Sequence, residues 1–219
     1  TQDHKANSIV NSSTVAGLQD GGACYDFDGT GDNVSIADDD AFDFEDFTVA
    51  LWLNANTFSN NDRIITKGST GNGEWMISAG SSNKIRVYAK DAAGNAKDTS
   101  GDFSAITTNQ WNYVVVVIDR TNGKIRLSLN GGAFEDFVGG TDWTSNFANS
   151  SGIQIGTNGS THFDGQIRDV KIFPSALDDG DIRKLYSGEN PKKNLNVNLV
   201  TNGDFSSALG TTWVARRSA

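Results

Sequence analysis

The stretch WNYVVVVIDRTNGKIRLSLN, residues 111–130, is the strongest structural signal in the chain. Its four consecutive valines and an isoleucine form an uninterrupted apolar run, whereas a strand with one solvent-exposed face alternates apolar and polar residues. The run therefore predicts a strand that is buried on both faces. The Asn-Gly pair that follows is favoured in tight β-turns, and a second apolar run begins directly after it. The stretch predicts a long antiparallel hairpin at the centre of a sheet.

Shorter strand-like runs, bounded by Gly, Asn, Asp or Ser, lie on both sides of this hairpin along the chain. They occupy residues 23–27, 33–36, 47–55, 63–67, 74–79, 84–90, 151–156 and 164–173. About ten short strands with almost no helical pattern are typical of an antiparallel two-sheet sandwich. With 219 residues, the chain is long enough for one such domain.

The segment LDDGDIRKLYSG, residues 177–188, breaks the strand pattern. Acidic residues come first, basic residues follow, and Gly188 stands just after the end, which is the order that a helix dipole and a C-cap favour. Ile182, Leu185 and Tyr186 fall on one face. We therefore expect one short helix over residues 178–187 that docks on the sandwich, because it is too short to be stable alone.

The charge composition excludes some classes of partner. The chain has 18 basic and 27 acidic residues, which leaves a formal net charge of −9. No basic stripe is present to replace counterions on a nucleic acid. No apolar run is long enough to span a bilayer. The sequence therefore predicts neither nucleic-acid binding nor membrane insertion.

Changes in composition along the chain indicate three segments. Residues 1–22 read as a polar lead-in with an edge strand, and residues 23–188 as the sandwich domain. Residues 189–219 begin with a polar linker and continue as one strand-like run. We interpret this last part as a linker and the first strand of a following domain, or as a tail that pairs with a partner chain.

Three stretches carry a family resemblance: ACYDFDGTGDNVSIADDDAFDFEDFTVALWLN from residue 23, the central hairpin, and FDGQIRDVKIFPSALDDGDIRKLYSG from residue 163. They resemble the laminin-G-like, concanavalin-A-like jelly-roll domains to which pentraxins are related. The resemblance implies an all-β, two-sheet antiparallel jelly roll with one short C-terminal helix. One position departs from the pattern, because Arg168 stands where the family usually has the first of two aspartates. The end of the chain, LVTNGDFSSALGTTW, resembles the start of a carbohydrate-binding module.

The resemblance also implies a structural calcium ion. In this fold the first and last strands are neighbours, and the aspartate before the final Val-x-Ile commonly serves the ion. On this sequence the implied ligands are Asp28, the Gly29 carbonyl, Asp32 and Asp169. Ca²⁺ prefers such a mixture of carboxylate and carbonyl oxygens. The alternative is an ordinary Asp-Gly turn, with Asp169 paired to Arg168 or to a backbone amide.

A rim of loops is the second candidate site. Residues 59–65, SNNDRII, resemble the Asp-Asn pair that opens the ligand-binding loop of pentraxins, and residues 156–165 would form the partner loop. Aromatic rings beside Gly-rich turns or in loops could stack on sugar rings, whereas Trp52 and Trp111 are expected in the core. The predicted ligand-binding residues are Asn61, Asp62, Trp75, Trp143, Asn158 and His162.

Catalytic patterns are missing from the sequence. No predicted strand carries the paired carboxylates that glycoside hydrolases of this fold use. Glu45 and Asp46 are adjacent and would point to opposite faces of a strand. Neither His4 nor His162 lies near a Ser or Cys nucleophile pattern. The sequence therefore predicts that the protein is not an enzyme.

These observations favour a lectin-like carbohydrate-binding or adhesion module, calcium-stabilised and part of a larger extracellular or cell-surface protein. Its expected partner is a carbohydrate or glycoprotein. The alternative is a structural or decoration protein with protein partners in a larger assembly, such as a virus particle or a filament.

Overall fold

The computed structural model describes residues 7–8, 23–68, 71–188 and 213–216. Within these ranges the chain forms fourteen strands, one α-helix and two short 3₁₀ helices, Asp40–Phe42 and Ser81–Asn83. The strands are β1 Asn7–Ser8, β2 Ala23–Asp28, β3 Asn33–Ile36, β4 Phe47–Ala55, β5 Arg63–Lys67, β6 Trp75–Ala79, β7 Ile85–Lys90, β8 Ala96–Asp98, β9 Asn112–Asp119, β10 Lys124–Leu129, β11 Glu135–Phe137, β12 Ile153–Ile155, β13 Asp164–Phe173 and β14 Trp213–Arg216. The helix, α1, is Asp179–Tyr186.

The strands form two seven-stranded sheets in which every pair of neighbours is antiparallel. The first sheet has the order β1-β2-β13-β4-β9-β10-β11, and the second has the order β14-β3-β12-β5-β6-β7-β8. The predicted all-β, two-sheet antiparallel sandwich with one short helix is therefore confirmed.

The first sheet is apolar on both faces, as its central strands predicted. All eight residues of β9 are buried. On β4, Val49 and Leu51 belong to the main core between the sheets, whereas Ala50 and Trp52 belong to a second cluster on the outer face. Alternation of side chains along a strand explains this division.

The turn after β9 follows the local sequence signal. Gly123 has φ of +67°, a conformation that glycine adopts without steric cost. The Asp119 carboxylate accepts hydrogen bonds from the backbone N–H of Asn122 at 3.0 Å and from its side-chain amide at 2.9 Å. β10 then pairs with β9 from Lys124 to Leu129.

Helix α1 covers the outer face of the first sheet. The Asp178 side chain caps its N-terminus by accepting from the Asp181 N–H at 3.0 Å, and Gly188 follows its end with φ of +81°. Ile182 and Leu185 are buried against Trp52 and the other residues of the second cluster. The predicted helix is therefore confirmed, and it is one residue shorter at each end than predicted. No helix in the described part of the chain is long and apolar enough to cross a membrane.

Strands β2 and β13 lie side by side, as the family resemblance implied. Their register pairs Asp28 with Asp164 and Tyr25 with Ile167. A β-bulge between Arg168 and Lys171 then interrupts the pairing of β13 with β4, and Asp169 has φ of +52° there.

Two short strands lie at sheet edges near the termini. β1 pairs with β2 in the first sheet, and β14 pairs with β3 in the second. Residues 189–212, which include the predicted linker, lie outside the described residues. The division into residues 1–22, 23–188 and 189–219 stays a prediction.

The helix contact gives a stability test. Ile182 is 1% exposed, so an Ile182→Ala variant should lower the free energy of unfolding by about 2–5 kcal/mol, since it leaves a cavity against the sheet. Arg183 is exposed on the same helix, and Arg183→Ala should change the value by no more than about 0.5 kcal/mol. Denaturant unfolding of both variants checks the prediction, and equal losses would contradict it.

Candidate functional site

The outer face of the second sheet carries polar side chains from neighbouring strands. Trp75, Ile77, Ile85 and Val87 are core residues of β6 and β7, so the residues between them point away from the core. The register places Met76 opposite Tyr88, Ser78 opposite Arg86, and Thr66 opposite Met76. Unlike the first sheet, this sheet therefore has one apolar and one polar face.

A cavity of about 210 Å³ opens on this polar face. It is lined by Arg63, Thr66, Gly68, Glu74, Trp75, Met76, Arg86, Tyr88 and Asn158. A second cavity of about 190 Å³ shares Arg86 with the first and is otherwise lined by Asn60, Gly80, Ser81 and Ser100. Arg86 therefore borders two concave sites on the same face.

Arg86 is held rigidly by hydrogen bonds. Its Nε and Nη2 donate to the two carboxylate oxygens of Asp98 at 2.9 and 2.6 Å, and its Nη1 donates to Asn61 Oδ1 at 2.7 Å. The bidentate contact with Asp98 raises the pKa of Arg86 and lowers the pKa of Asp98, against the opposing effect of burial on both groups. This guanidinium is neutralised and fixed.

Arg63 has no such partner. Its Nε and Nη1 are buried and make no hydrogen bond with any described residue. Burial lowers the pKa of Arg63, and the charge of Arg86 acts in the same direction, because both disfavour the charged form. Arg63 is thus a desolvated cation on the wall of the cavity.

Glu74 and Tyr88 supply an acceptor and an aromatic ring to the cavity. Burial raises the pKa of Glu74 above the ordinary glutamate value, although Lys90, Arg63 and a hydrogen bond with Tyr88 oppose the shift. Burial and the Glu74 charge raise the pKa of Tyr88, so its hydroxyl stays protonated at neutral pH. The cavity therefore combines hydrogen-bond donors, an acceptor and an aromatic face.

Two of the six predicted ligand-binding residues line this cavity, and a third contacts one of its lining residues. Trp75 and Asn158 line it, and Asn61 positions Arg86. Asp62 and His162 are not among the lining residues. The Asp62 carboxylate instead accepts the Ser59 N–H at 2.7 Å, and burial raises the pKa of Asp62. Trp75 is only 2% exposed, so a sugar ring stacked on its face is not accommodated.

Trp143, which the sequence analysis names as a ligand-binding residue, is buried and lines neither cavity. The side chain is 5% exposed, and its Nε1 donates to the Ala89 carbonyl at 3.1 Å. Its ring packs edge-on against Phe147 at 5.3 Å, and the Nζ of Lys97 lies 5.3 Å from the ring centroid. The loop that carries Trp143 folds over the sandwich and buries this large apolar side chain.

The four residues implied as calcium ligands do not fit one ion. Asp28 pairs with Asp164, and Asp169 lies five residues further along β13, inside the β-bulge, so the two carboxylates are not level with each other. The Asp169 carboxylate contacts Lys171 instead. Asp28 Oδ1 accepts the N–H and hydroxyl of Thr30, as in an ordinary Asp-Gly turn. Among the described residues, no group of three or more His, Cys, Asp or Glu side chains could hold a metal ion.

Sequence reasoning missed Arg63, Glu74, Arg86 and Tyr88. The available signal was the alternation in EWMISA and KIRVYAK, where every second residue is apolar and enters the core. The polar residues between them become neighbours only because β5, β6 and β7 lie side by side. The sequence patterns predict a ligand site in loops, whereas this sheet face follows only from the strand order.

Comparison with solved structures supports the fold. A candidate carbohydrate-binding protein from Bacteroides ovatus is 20% identical with a TM-score of 0.53, over 72% of this chain and 45% of that one. A heptameric SAP-like pentraxin from Limulus polyphemus is 14% identical with a TM-score of 0.55, over 84% and 91%. Botulinum neurotoxin type C, whose cell entry depends on two ganglioside molecules, is 18% identical with a TM-score of 0.51, over 71% and 39%. This chain thus spans less than half of the Bacteroides ovatus protein.

No curated protein matches the sequence significantly. The family model of the concanavalin A-like lectin/glucanases superfamily matches residues 28–183, which is well over half of the chain. The described sandwich has the architecture that this family implies. The chain belongs to the concanavalin A-like lectin/glucanases superfamily.

Proposed function

We propose that this chain is a non-catalytic carbohydrate-binding module whose ligand occupies the cavity on the outer face of the second sheet. The observation that carries the proposal is the cavity itself, which joins Arg63, Glu74, Tyr88 and Asn158 on one rigid surface. Sugar hydroxyls both donate and accept hydrogen bonds, so charged and amide groups around one aromatic ring suit them.

Strands carry Arg63, Arg86 and Tyr88, whereas Glu74 directly precedes β6 and Asn158 lies in the loop between β12 and β13. Tyr88 and Arg86 lie on β7, Arg63 lies on β5, and β6 separates the two strands in the sheet. A site built on strands holds its groups more closely in place than a site on loops, which lowers the ordering cost of binding. The adjoining cavity beyond Arg86 gives a longer glycan room to extend.

Several features favour binding over catalysis. Among the described residues that line the larger cavity, Glu74 is the only one with a carboxylate. Glycoside hydrolases normally use two carboxylates that flank the scissile bond. The similar structures named above include a candidate carbohydrate-binding protein and a toxin that interacts with gangliosides, which agrees with a binding role. A surface or extracellular location is part of this proposal.

Calcium binding stays a prediction without a ligand set, since Asp28 and Asp169 are separated by the strand register. A melting temperature that rises with millimolar calcium and falls again with EDTA would support it. Such a result would also require ligands other than the four predicted residues.

The binding proposal is tested with Tyr88→Ala. Loss of the aromatic face should weaken glycan binding by about tenfold or more, measured by calorimetry with the strongest ligand from a glycan array. Val138→Ala is the control, because Val138 is 71% exposed and lines neither cavity. Equal binding by both variants would remove the site.

The array also separates the two classes of function. Absence of any glycan ligand, together with defined self-association in solution, would favour the structural or decoration role in a larger assembly. In that case the polar face of the second sheet should be protected from hydrogen exchange in the assembled form.

A further inference from the structure

Arg63 differs from the two fully buried lysines of the domain. Lys67 and Lys97 are each 0% exposed, and each has carboxylate partners: Asp38 and Asp43 for Lys67, and Asp142 for Lys97. Burying a charge is costly unless the charge is paired, and these lysines follow that rule. Among the described residues, no carboxylate oxygen lies within 4.0 Å of a guanidinium nitrogen of Arg63, so Arg63 forms no ion pair with them.

The contacts of the guanidinium show which part of it a ligand can reach. Nε and Nη1 are covered by protein and make no hydrogen bond with a described residue. The remaining nitrogen, Nη2, is not covered in this way, and Arg63 lines the larger cavity. A group bound in the cavity can therefore meet a cation that is desolvated on one side and open on the other.

The neighbouring charges do not neutralise Arg63. Arg86, which also lines the cavity, is already engaged by Asp98 in a bidentate pair. Glu74 and Asp98 favour the charged form of Arg63, but their effect on its pKa ranks below burial and the repulsion from Arg86. Of the two guanidinium groups on the cavity wall, Arg63 is therefore the one without an ion-pair contact among the described residues.

We propose that the glycan bound in this cavity carries an anionic group, a sugar carboxylate or a sulfate ester, that accepts a hydrogen bond from Arg63. This inference rests on the proposed function and narrows its ligand class. A guanidinium is the side chain best suited to carboxylate and sulfate oxygens, and charge-assisted hydrogen bonds are about twice as strong as neutral ones. Tyr88 is placed to contact the ring of the same sugar, because both residues line the cavity.

Pairs of anionic and neutral oligosaccharides test whether the ligand must carry a negative charge. The intact chain is titrated with trigalacturonate and its fully methyl-esterified form, and with a sulfated galactan oligosaccharide and its desulfated form. At least one anionic probe should bind about 10- to 100-fold more tightly than its neutral counterpart. The first pair tests a carboxylate and the second a sulfate ester. Neutral probes that bind as well as the charged ones would overturn the inference and leave the proposed function standing, whereas no binding of any probe counts against both.

Two variants with the same charge change localise the effect. Arg63→Gln should reduce binding of the anionic probe to the level of its neutral counterpart. Arg183→Gln should leave binding unchanged, since Arg183 lies on α1, on the other side of the sandwich. Equal losses in the two variants would show a general effect of net charge and overturn the role of Arg63.

Stability provides a measurement that needs no ligand. Arg63→Met replaces the guanidinium with an apolar side chain, and the melting temperature should stay the same or rise, because an unpaired buried charge is removed. A fall of several degrees would show that the guanidinium holds the fold together, and would contradict its assignment to ligand binding.

The direction in which binding affinity changes with pH distinguishes an anionic ligand from a neutral one. Glu74 shares the cavity, and burial raises its pKa. As pH falls through this raised pKa, Glu74 loses its charge and its repulsion of an anion. The affinity for a sulfated probe, which stays ionised, should therefore rise, and Glu74→Gln should remove the change. The Arg63 and Arg86 guanidinium groups near this wall stay cationic in that range, and Asp98 keeps its charge because its pKa is lowered. Lys90 is a further basic group whose charge acts on Glu74. An affinity that falls with Glu74 protonation would indicate a neutral hydroxyl bound to the carboxylate and would contradict the inference.

Discussion

Burial of the first sheet on both faces is the constraint on which the rest of the structure depends. The apolar run of β9 cannot face water on either side, so one face packs on the second sheet and the other needs a cover. Helix α1 provides that cover through Ile182 and Leu185. Among the residues whose burial the structure describes, the second sheet has no corresponding apolar outer face. Its outer side is therefore the broad sheet surface left for a ligand, and the candidate site lies there.

The site is defined by a guanidinium on this open surface, that of Arg63, which has no ion-pair contact with a described residue. Within the fold, Lys67, Lys97 and Arg86 are each matched by carboxylates, so their charges contribute to one well-defined arrangement of loops and strands. Arg63 is partly buried, with Nε and Nη1 covered by protein, but it has no described carboxylate as its ion-pair partner. In a structural ion pair the protein supplies both charges. In a binding site one charge has no partner in the protein, and the ligand supplies that partner. The proposed preference for an acidic sugar follows from that difference.

Which strands are neighbours could be predicted more easily than which residues pair between them. The family resemblance placed β2 beside β13, and the structure confirms this pairing. The metal set required Asp28 and Asp169 to be level with each other, but Asp28 is level with Asp164. A shift of a few residues along a strand moves a carboxylate by more than the length of any ligand bond. The interpretation of Trp143 failed for a related reason, because a loop position in the sequence does not show whether the loop folds back over the core.

The sequence by itself determined the fold class, the central hairpin, the short helix and the residues that enter the core, because these follow from local alternation, turn chemistry and charge order. It also indicated Trp75, Asn158 and Asn61, which reach the cavity or hold Arg86. Only the tertiary structure brought Arg63, Glu74 and Tyr88 to one cavity. These residues come from three segments of the chain, and their distances depend on strand order and register. Long-range pairing of that kind leaves no mark in any single stretch of sequence.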